Sequence, residues 1–402
     1  MVTLGDQTYN GVNNAIDYFN ALPEIEYAER NYYKKTNIAI APTQVNDPLI
    51  SSQDAYNDIN MNSAWSHSTG ATDVTVAVID TGINVTSEEL SGVVNVASSY
   101  NFTDDGNGLI DEIGHGTQVA SIIAAEGNNN FGFAGVAWNV ELINLKVFKK
   151  IIENGEEQQY STVSWFVEAV NKAIELDVDI INYSASDGNY SQAEYDVISE
   201  FDGVFVTSAG NMGMDIDVSP ERAYPASYNL DNIIAVGASQ TGSLTRWSSS
   251  NYGVVSVDVC APGTDILCLS NNGTFVTASG TSFATPMVAG VAALLLSVNS
   301  SLTPIQIKNS IIMNSQKSDD LSPCFVNGRL DALATVETHG YLRGDVDMDW
   351  NITETDVRKV LRYSSGMEIP TALQKALADI NMDGSVSLSD ANIISNIASG
   401  SL

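Results

Sequence analysis

The order of apolar and polar positions divides the chain into short buried runs and longer one-faced ones. Thr75 to Ile83 (TVAVIDTGI) is a β-branched apolar run ending abruptly in Asp-Thr-Gly, the pattern of a parallel strand covered on both faces. Runs of the same kind follow at Glu141–Phe148, Asp179–Ala185, Gly203–Gly210 and Ile233–Ala238. Helical spacing lies between them. In STVSWFVEAVNKAI, Val163, Phe166, Val167, Val170 and Ile174 share one face behind a Ser/Thr start. Such alternation predicts an α/β fold, a mostly parallel sheet with helices on both faces. Open sheets of this type bind ligands at the carboxyl ends of their strands, which draws attention to Asp80.

One stretch is apolar on nearly every side. SGTSFATP (Ser279 to Pro286) runs into MVAGVAALLLSV, predicting a helix buried in a large core. Ser282 then sits at a helix N-terminus, where free N–H groups and the positive end of the dipole favour a developing oxyanion. Taken alone, the stretch fits an ordinary serine N-cap equally well.

Beyond about residue 343 the pattern changes. DVDMDWNITETD (Asp345 to Asp356) recurs 34 positions later as DINMDGSVSLSD (Asp379 to Asp390), and each precedes a helix, VRKVLRY and ANIISNI. Oxygen-bearing side chains fall at loop positions 1, 3, 5, 9 and 12. They are Asp345, Asp347, Asp349, Thr353 and Asp356, then Asp379, Asn381, Asp383, Ser387 and Asp390. That is the spacing of a loop wrapped around calcium. Position 6 is Gly384 in the second loop but Trp350 in the first, where a sharp turn favours glycine, so the first loop is expected to bind more weakly.

Composition narrows the partners. The 402-residue chain carries a net charge of −32 with 17 Lys and Arg, which weighs against nucleic acid and anionic membranes. No uninterrupted run of about 18 apolar residues stands out, so no membrane span is expected. Cys260, Cys268 and Cys324 have neither zinc nor redox spacing, and at most one disulfide is possible.

A serine hydroxyl needs a neighbouring base. Of the histidines His67, His115 and His339, the first lies in a polar segment and the last in a linker, both read as solvated. His115, in GHGTQVASIIAA, has glycines that permit close approach and is the candidate base. Asp80 is the candidate orienting carboxylate, or else a turn cap. Asn211 closes the run GVFVTSAGN, either as an oxyanion donor or as a left-handed turn residue.

Together SGTSFATPMVAGVAALLL, VNSSLTP, GHGT, VAVIDTG and the closing NGRLDALATVET resemble the subtilisin-like serine proteases over residues 42–338. The resemblance implies a seven-stranded α/β fold and a triad Asp80, His115, Ser282, in the chain order of subtilisin itself. It also implies an acyl-enzyme and an oxyanion donor in the Asn211 amide. Ser184, Ala185 and Ser186 would pair with substrate, with Ala209 and Gly210 on the opposite wall of the P1 pocket. Ser186 stands where many relatives carry glycine and is expected to narrow that pocket. Gln118, Phe283 and Met287 also depart from the family pattern and are expected to touch no triad member.

LPEIEYAERNYYKK resembles the exit of the family's inhibitory prodomain, so residues 1–41 are expected to be its remnant, with a signal peptide and the first half upstream. Phe102–Glu112 and Asn128–Phe133 resemble calcium loops of relatives, or are plain solvated loops. The paired repeats resemble dockerins: a linker at 339–342, then a small all-α calcium-binding module at 343–402 whose partner is a cohesin on a scaffoldin. The expectation is a secreted, extracellular serine endopeptidase of protein or peptide substrates, bound to a cellulosome-type scaffold. The alternative is an inactive subtilase-fold peptide-binding subunit. A glycoside hydrolase lacks support, since no acid pair in an aromatic-rich cleft is evident.

Overall fold

The computed structural model describes residues 45–399 apart from 154, 219, 221, 326, 350 and 382. The segment resembling a prodomain, and the role given to Trp350, lie outside the described residues.

Seven parallel strands form the main sheet: β1 (Thr75–Asp80), β2 (Tyr100–Asn101), β3 (Glu141–Lys146), β6 (Ile180–Tyr183), β7 (Val204–Ser208), β8 (Ile233–Ser239) and β9 (Val259–Pro262), in the order β2-β3-β1-β6-β7-β8-β9. A hairpin, β4 (Lys149–Glu153) and β5 (Glu156–Tyr160), projects after β3; a second, β10 (Ile266–Leu269) and β11 (Phe275–Ala278), follows β9. The pleat sends alternate residues of β1 into two cores. Val76 and Val78 join the core with α1 (His115–Ala124) and α4 (Thr281–Val298). Ala77 and Ile79 join the core with α2 (Val163–Glu175) and α3 (Gln192–Ser199). Both faces are covered, which is why the strands read as continuous apolar runs.

Thr162 caps α2 by accepting from the Trp165 N–H, as its Ser/Thr start predicts. The predicted apolar face needs one correction: Val163 is 44% exposed, while Ala169 and Ala173 are buried.

Helix α4 corrects a second expectation. It is 18 residues long with a mean hydropathy of 1.7, long and apolar enough to cross a membrane. Here 83% of it is buried within the protein. Its apolarity reflects packing against the sheet on one side and α1 and α6 (Ala332–Glu337) on the others. Truncating a fully buried residue there, such as Leu294, to alanine would cost about 2–5 kcal/mol.

After α5 (Pro304–Met313) and α6, the chain enters three helices: α7 (Glu354–Ser364), α8 (Ala372–Ala378) and α9 (Leu388–Ala398). Val346, Val360, Tyr363, Leu377, Ala391 and Ile394 form their own small core. Arg343, only 6% exposed, joins this part to the rest. Its Nε donates to Asn314 Oδ1 (3.0 Å) and its Nη1 to the carbonyls of Ala376 and Asp379, while Nη2 pairs with Glu337.

Candidate active site

β1 ends on Asp80, 2% exposed, and α1 begins on His115. Gly116 lets the two meet, since a Cβ there would lie 2.2 Å from the Gly82 carbonyl and 3.1 Å from the Asp80 Cβ. His115 Nδ1 lies 2.8 and 3.0 Å from the two Asp80 carboxylate oxygens. The carboxylate therefore takes the Nδ1–H and leaves Nε2 for chemistry. Burial pushes the His115 pKa down, but the charge and hydrogen bond of Asp80, helped by the charge of Asp111, carry it above the ordinary imidazole value.

Ser282 is the second residue of α4. Its Oγ donates to the Ser184 carbonyl (2.9 Å) at the end of β6, so it must rotate to present its hydroxyl to His115. Asn211 follows β7. Thr281 N–H (2.8 Å) and Thr281 Oγ1 (2.9 Å) both donate to one side of its amide. An N–H only donates, so that side is Oδ1, and the Nδ2 hydrogens remain for a ligand. The left-handed residue of this turn is Gly210 (φ 97°), not Asn211. Asp80, His115, Ser184, Ala185, Ser186, Gly210, Asn211 and Ser282 line one cleft of about 680 Å³. Ala209 is fully buried behind it.

The cleft also draws on residues that sequence reasoning did not pick. Phe148 precedes β4 and Gln159 lies in β5, and Met212, Met214, Arg222 and Asn251 also line the cleft. Asn251 holds part of this lining in place: its Oδ1 accepts from the N–H groups of Met212 (3.0 Å) and Met214 (3.1 Å), and its Nδ2 donates to the Ala209 carbonyl (2.8 Å). Nothing in the sequence near Asn251 signals this, because its partners lie some forty positions away. Phe283 is a correction. Its ring lies 5.8 Å, centroid to centroid, from that of His115, so this departure does touch a triad candidate. Cys260, Cys268 and Cys324 are free thiols.

The two segments that resemble calcium loops of relatives, or plain solvated loops, are held in different ways. In Phe102–Glu112 the fully buried Lys146 brings a positive charge, its ammonium pairing with Asp105 (2.7 Å) and donating to the Ile110 carbonyl (2.8 Å). Burial opposes the charge on Asp105, yet hydrogen bonds from Lys146, Asn107 and Asn101 hold its pKa down at about 2. Around Asn128–Phe133, Asp47 accepts from the N–H groups of Asn128 and Asn129, and buried Glu89 accepts from that of Phe133. Burial pushes Glu89 up to about 7, so a cation beside it would restore its charge.

In the C-terminal repeats, ligand atoms of Asp345, Asp347 and Asp349 lie within 4.8 Å of one another. Asp347 Oδ1 is buried without a hydrogen-bond partner, and burial followed by repulsion from Asp356 and Asp349 raises its pKa. An orphaned buried oxygen among carboxylates fits a hard cation. Thr353 and Asp356, like Ser387 and Asp390, bond each other as capping boxes at the starts of α7 and α9. In the second loop Asp379 accepts from the N–H groups of Asp383 (3.1 Å) and Gly384 (2.8 Å), with Gly384 at φ 86°. Asn381 donates to Asp383 (3.0 Å).

Residues 71–330 match the subtilase family and residues 343–397 the type I dockerin domain. The chain is 34% identical over 329 residues to a thermophilic serine proteinase of Bacillus sp. strain AK1, covering 81% of this chain and 76% of that one. It is 37% identical over 253 residues to subtilisin NAT of Bacillus subtilis subsp. natto, covering 61% of each. Among solved structures, a protease of Pseudoalteromonas arctica PAMC 21717 superposes with a TM-score of 0.63 at 25% identity, over 74% of this chain and all of that one. The chain belongs to the subtilase family of serine endopeptidases, and a type I dockerin domain follows its catalytic domain.

Proposed function

We propose that residues 42–338 hydrolyse peptide bonds through Ser282, His115 and Asp80. The observation that carries this is the two-oxygen grip of buried Asp80 on His115 Nδ1, in the same cleft as Ser282 and Asn211. His115 Nε2 takes the proton from Ser282 Oγ as that oxygen attacks the scissile carbonyl, and Asp80 stabilises the imidazolium formed. The oxyanion lies between the Ser282 N–H, in the first turn of α4, and the Asn211 amide. His115 returns its proton to the leaving amine, and water then releases the acyl group from Ser282. Ser184, Ala185 and Ser186 hold the substrate backbone at the end of β6 by strand addition, with Gly210 opposite and Ala209, which the structure buries, only backing that wall. Ser282→Ala tests the reading. Hydrolysis and fluorophosphonate labelling should be lost at unchanged melting temperature, and turnover within about tenfold of wild type overturns it. The intact Asp80–His115 bond disfavours the inactive peptide-binding alternative.

The dockerin binds calcium through Asp345, Asp347, Asp349 and Asp356 in one loop and Asp379, Asn381, Asp383 and Asp390 in the other, with Thr353 and Ser387 closing each turn onto its helix. When bound, the ion supplies the positive charge these loops lack. The folded module then binds a cohesin on a scaffoldin, which places the enzyme outside the cell on a cellulosome-type assembly. Pull-down of the full chain with a type I cohesin, with and without calcium, tests this part, and calcium-independent capture would refute it.

A further inference from the structure

Helix α1 has no cap of its own: Gly114, the residue before it, has no side chain and adopts φ 100°. N–H groups at and just before its start go instead to Asp111, a carboxylate only 5% exposed. Asp111 Oδ1 accepts from the N–H groups of Gly114 (2.7 Å) and Ile113 (3.1 Å). Its Oδ2 accepts from the N–H (2.9 Å) and hydroxyl (2.6 Å) of Thr117. A fifth donor comes from another element. The Thr81 hydroxyl donates to Asp111 Oδ1 (2.9 Å) and itself accepts from the Gly116 N–H (2.8 Å). Thr81 directly follows Asp80, and its own N–H donates to Asp80 Oδ1 (2.7 Å).

We propose that Asp111 is a positioning residue of the catalytic machinery, which fixes the helix start carrying His115 against the strand end carrying Asp80. This rests on the reading of Asp80, His115 and Ser282 given above. Five donors fill a carboxylate's acceptor sites, so Asp111 cannot shift without breaking bonds to both elements. The separation of Asp80 and His115 is therefore set by a second carboxylate as well as by their own hydrogen bond. Its charge also favours the imidazolium. The charged groups facing His115 are Asp80 from β1 and Asp111 from the turn before α1. From β3, Lys146 is paired with Asp105, and α4 presents the Phe283 ring.

Two substitutions separate this role from simple capping. Asp111→Asn points an amide N–H at one set of donors and removes the charge. We expect kcat to fall about 10²-fold with KM within about threefold, as for a small misplacement of reacting groups, and the acid limb of the pH profile to move to lower pH. Thr81→Val leaves the bonds between Asp111 and α1 intact but removes both links through the Thr81 hydroxyl, the one to Asp111 and the one from the Gly116 N–H. It should lower kcat about tenfold, with Thr81→Ser restoring it to within about twofold. Asp111→Asn and Thr81→Val proteins that melt like wild type yet keep its kcat and acid limb overturn the proposal. Should Asp111→Asn fail to fold, the Thr81 pair decides alone. Ser282→Ala in the same assay keeps the two readings apart. If it is active, the triad reading fails; if it is inactive while the Thr81 and Asp111 variants match wild type, only the positioning role of Asp111 fails.

Discussion

Two loops of this chain have nearly the same chemistry and opposite electrostatic solutions. Phe102–Glu112 and Asp345–Asp356 are both rich in aspartate and both lead into a helix. The first carries its cation in the protein, since Lys146 reaches from β3 to Asp105 and Ile110. The second gathers Asp345, Asp347 and Asp349 and leaves an oxygen of Asp347 buried without a hydrogen-bond partner, where burial and repulsion from Asp356 and Asp349 outweigh the attraction of Lys359. An acidic loop therefore does not by itself specify a metal site. What decides is whether a neighbouring element brings a positive charge inside.

The largest effect that would break this contrast is calcium removal. A chelator should unfold the dockerin helices, because their loops cannot neutralise clustered carboxylates, while backbone protection across Phe102–Glu112 stays unchanged. Hydrogen exchange on the full chain measures both at once, and loss of protection in Phe102–Glu112 with retention in the dockerin would reverse the assignment. Next in size is Lys146→Met, which leaves Asp105 poorly exposed and unpaired. We expect about 3–5 kcal/mol of lost stability in the catalytic domain, read as a lower melting temperature, with unchanged calcium binding by the dockerin. The smallest effect concerns acid. The pKa of Asp105 is lowered, so its contribution of about 2 kcal/mol is present above its unfolded value and is lost as pH falls from about 4 to about 2. The pKa of Asp347 is raised, so in calcium-free protein its protonation as pH falls relieves the first dockerin loop. Acid should thus loosen one loop and tighten the other. Residue-resolved exchange at pH 5 and pH 3 distinguishes this from a common response.

The same contrast explains what the sequence could and could not disclose. The strands from Thr75, Glu141, Asp179, Gly203 and Ile233 were legible because burial on both faces forces long apolar runs. β2 is two residues long and β9 (VCAP) is short, so neither carries a pattern. β5 (EEQQY) is exposed along its length and has no apolar face, although Asn154-Gly155 before it is a hairpin signal that went unused. Asp80, His115, Ser282 and Asn211 stood out through the small residues that allow their close approach. Asp111 and Lys146 did not. An aspartate in an acidic loop and a lysine in a strand look solvated until the fold brings distant partners against them, Thr81 for Asp111 at 30 positions and Ile110 for Lys146 at 36.

Arg343 has a mechanical consequence. With one guanidinium bonded to Asn314, Glu337, Ala376 and Asp379, the dockerin is not a weight on a string. Its bearing is a property of the catalytic domain, and whatever grips the dockerin also aims the cleft. If a partner holds the dockerin, as proposed above, this joint turns the cleft with it, and the substrates met would depend on where that partner stands.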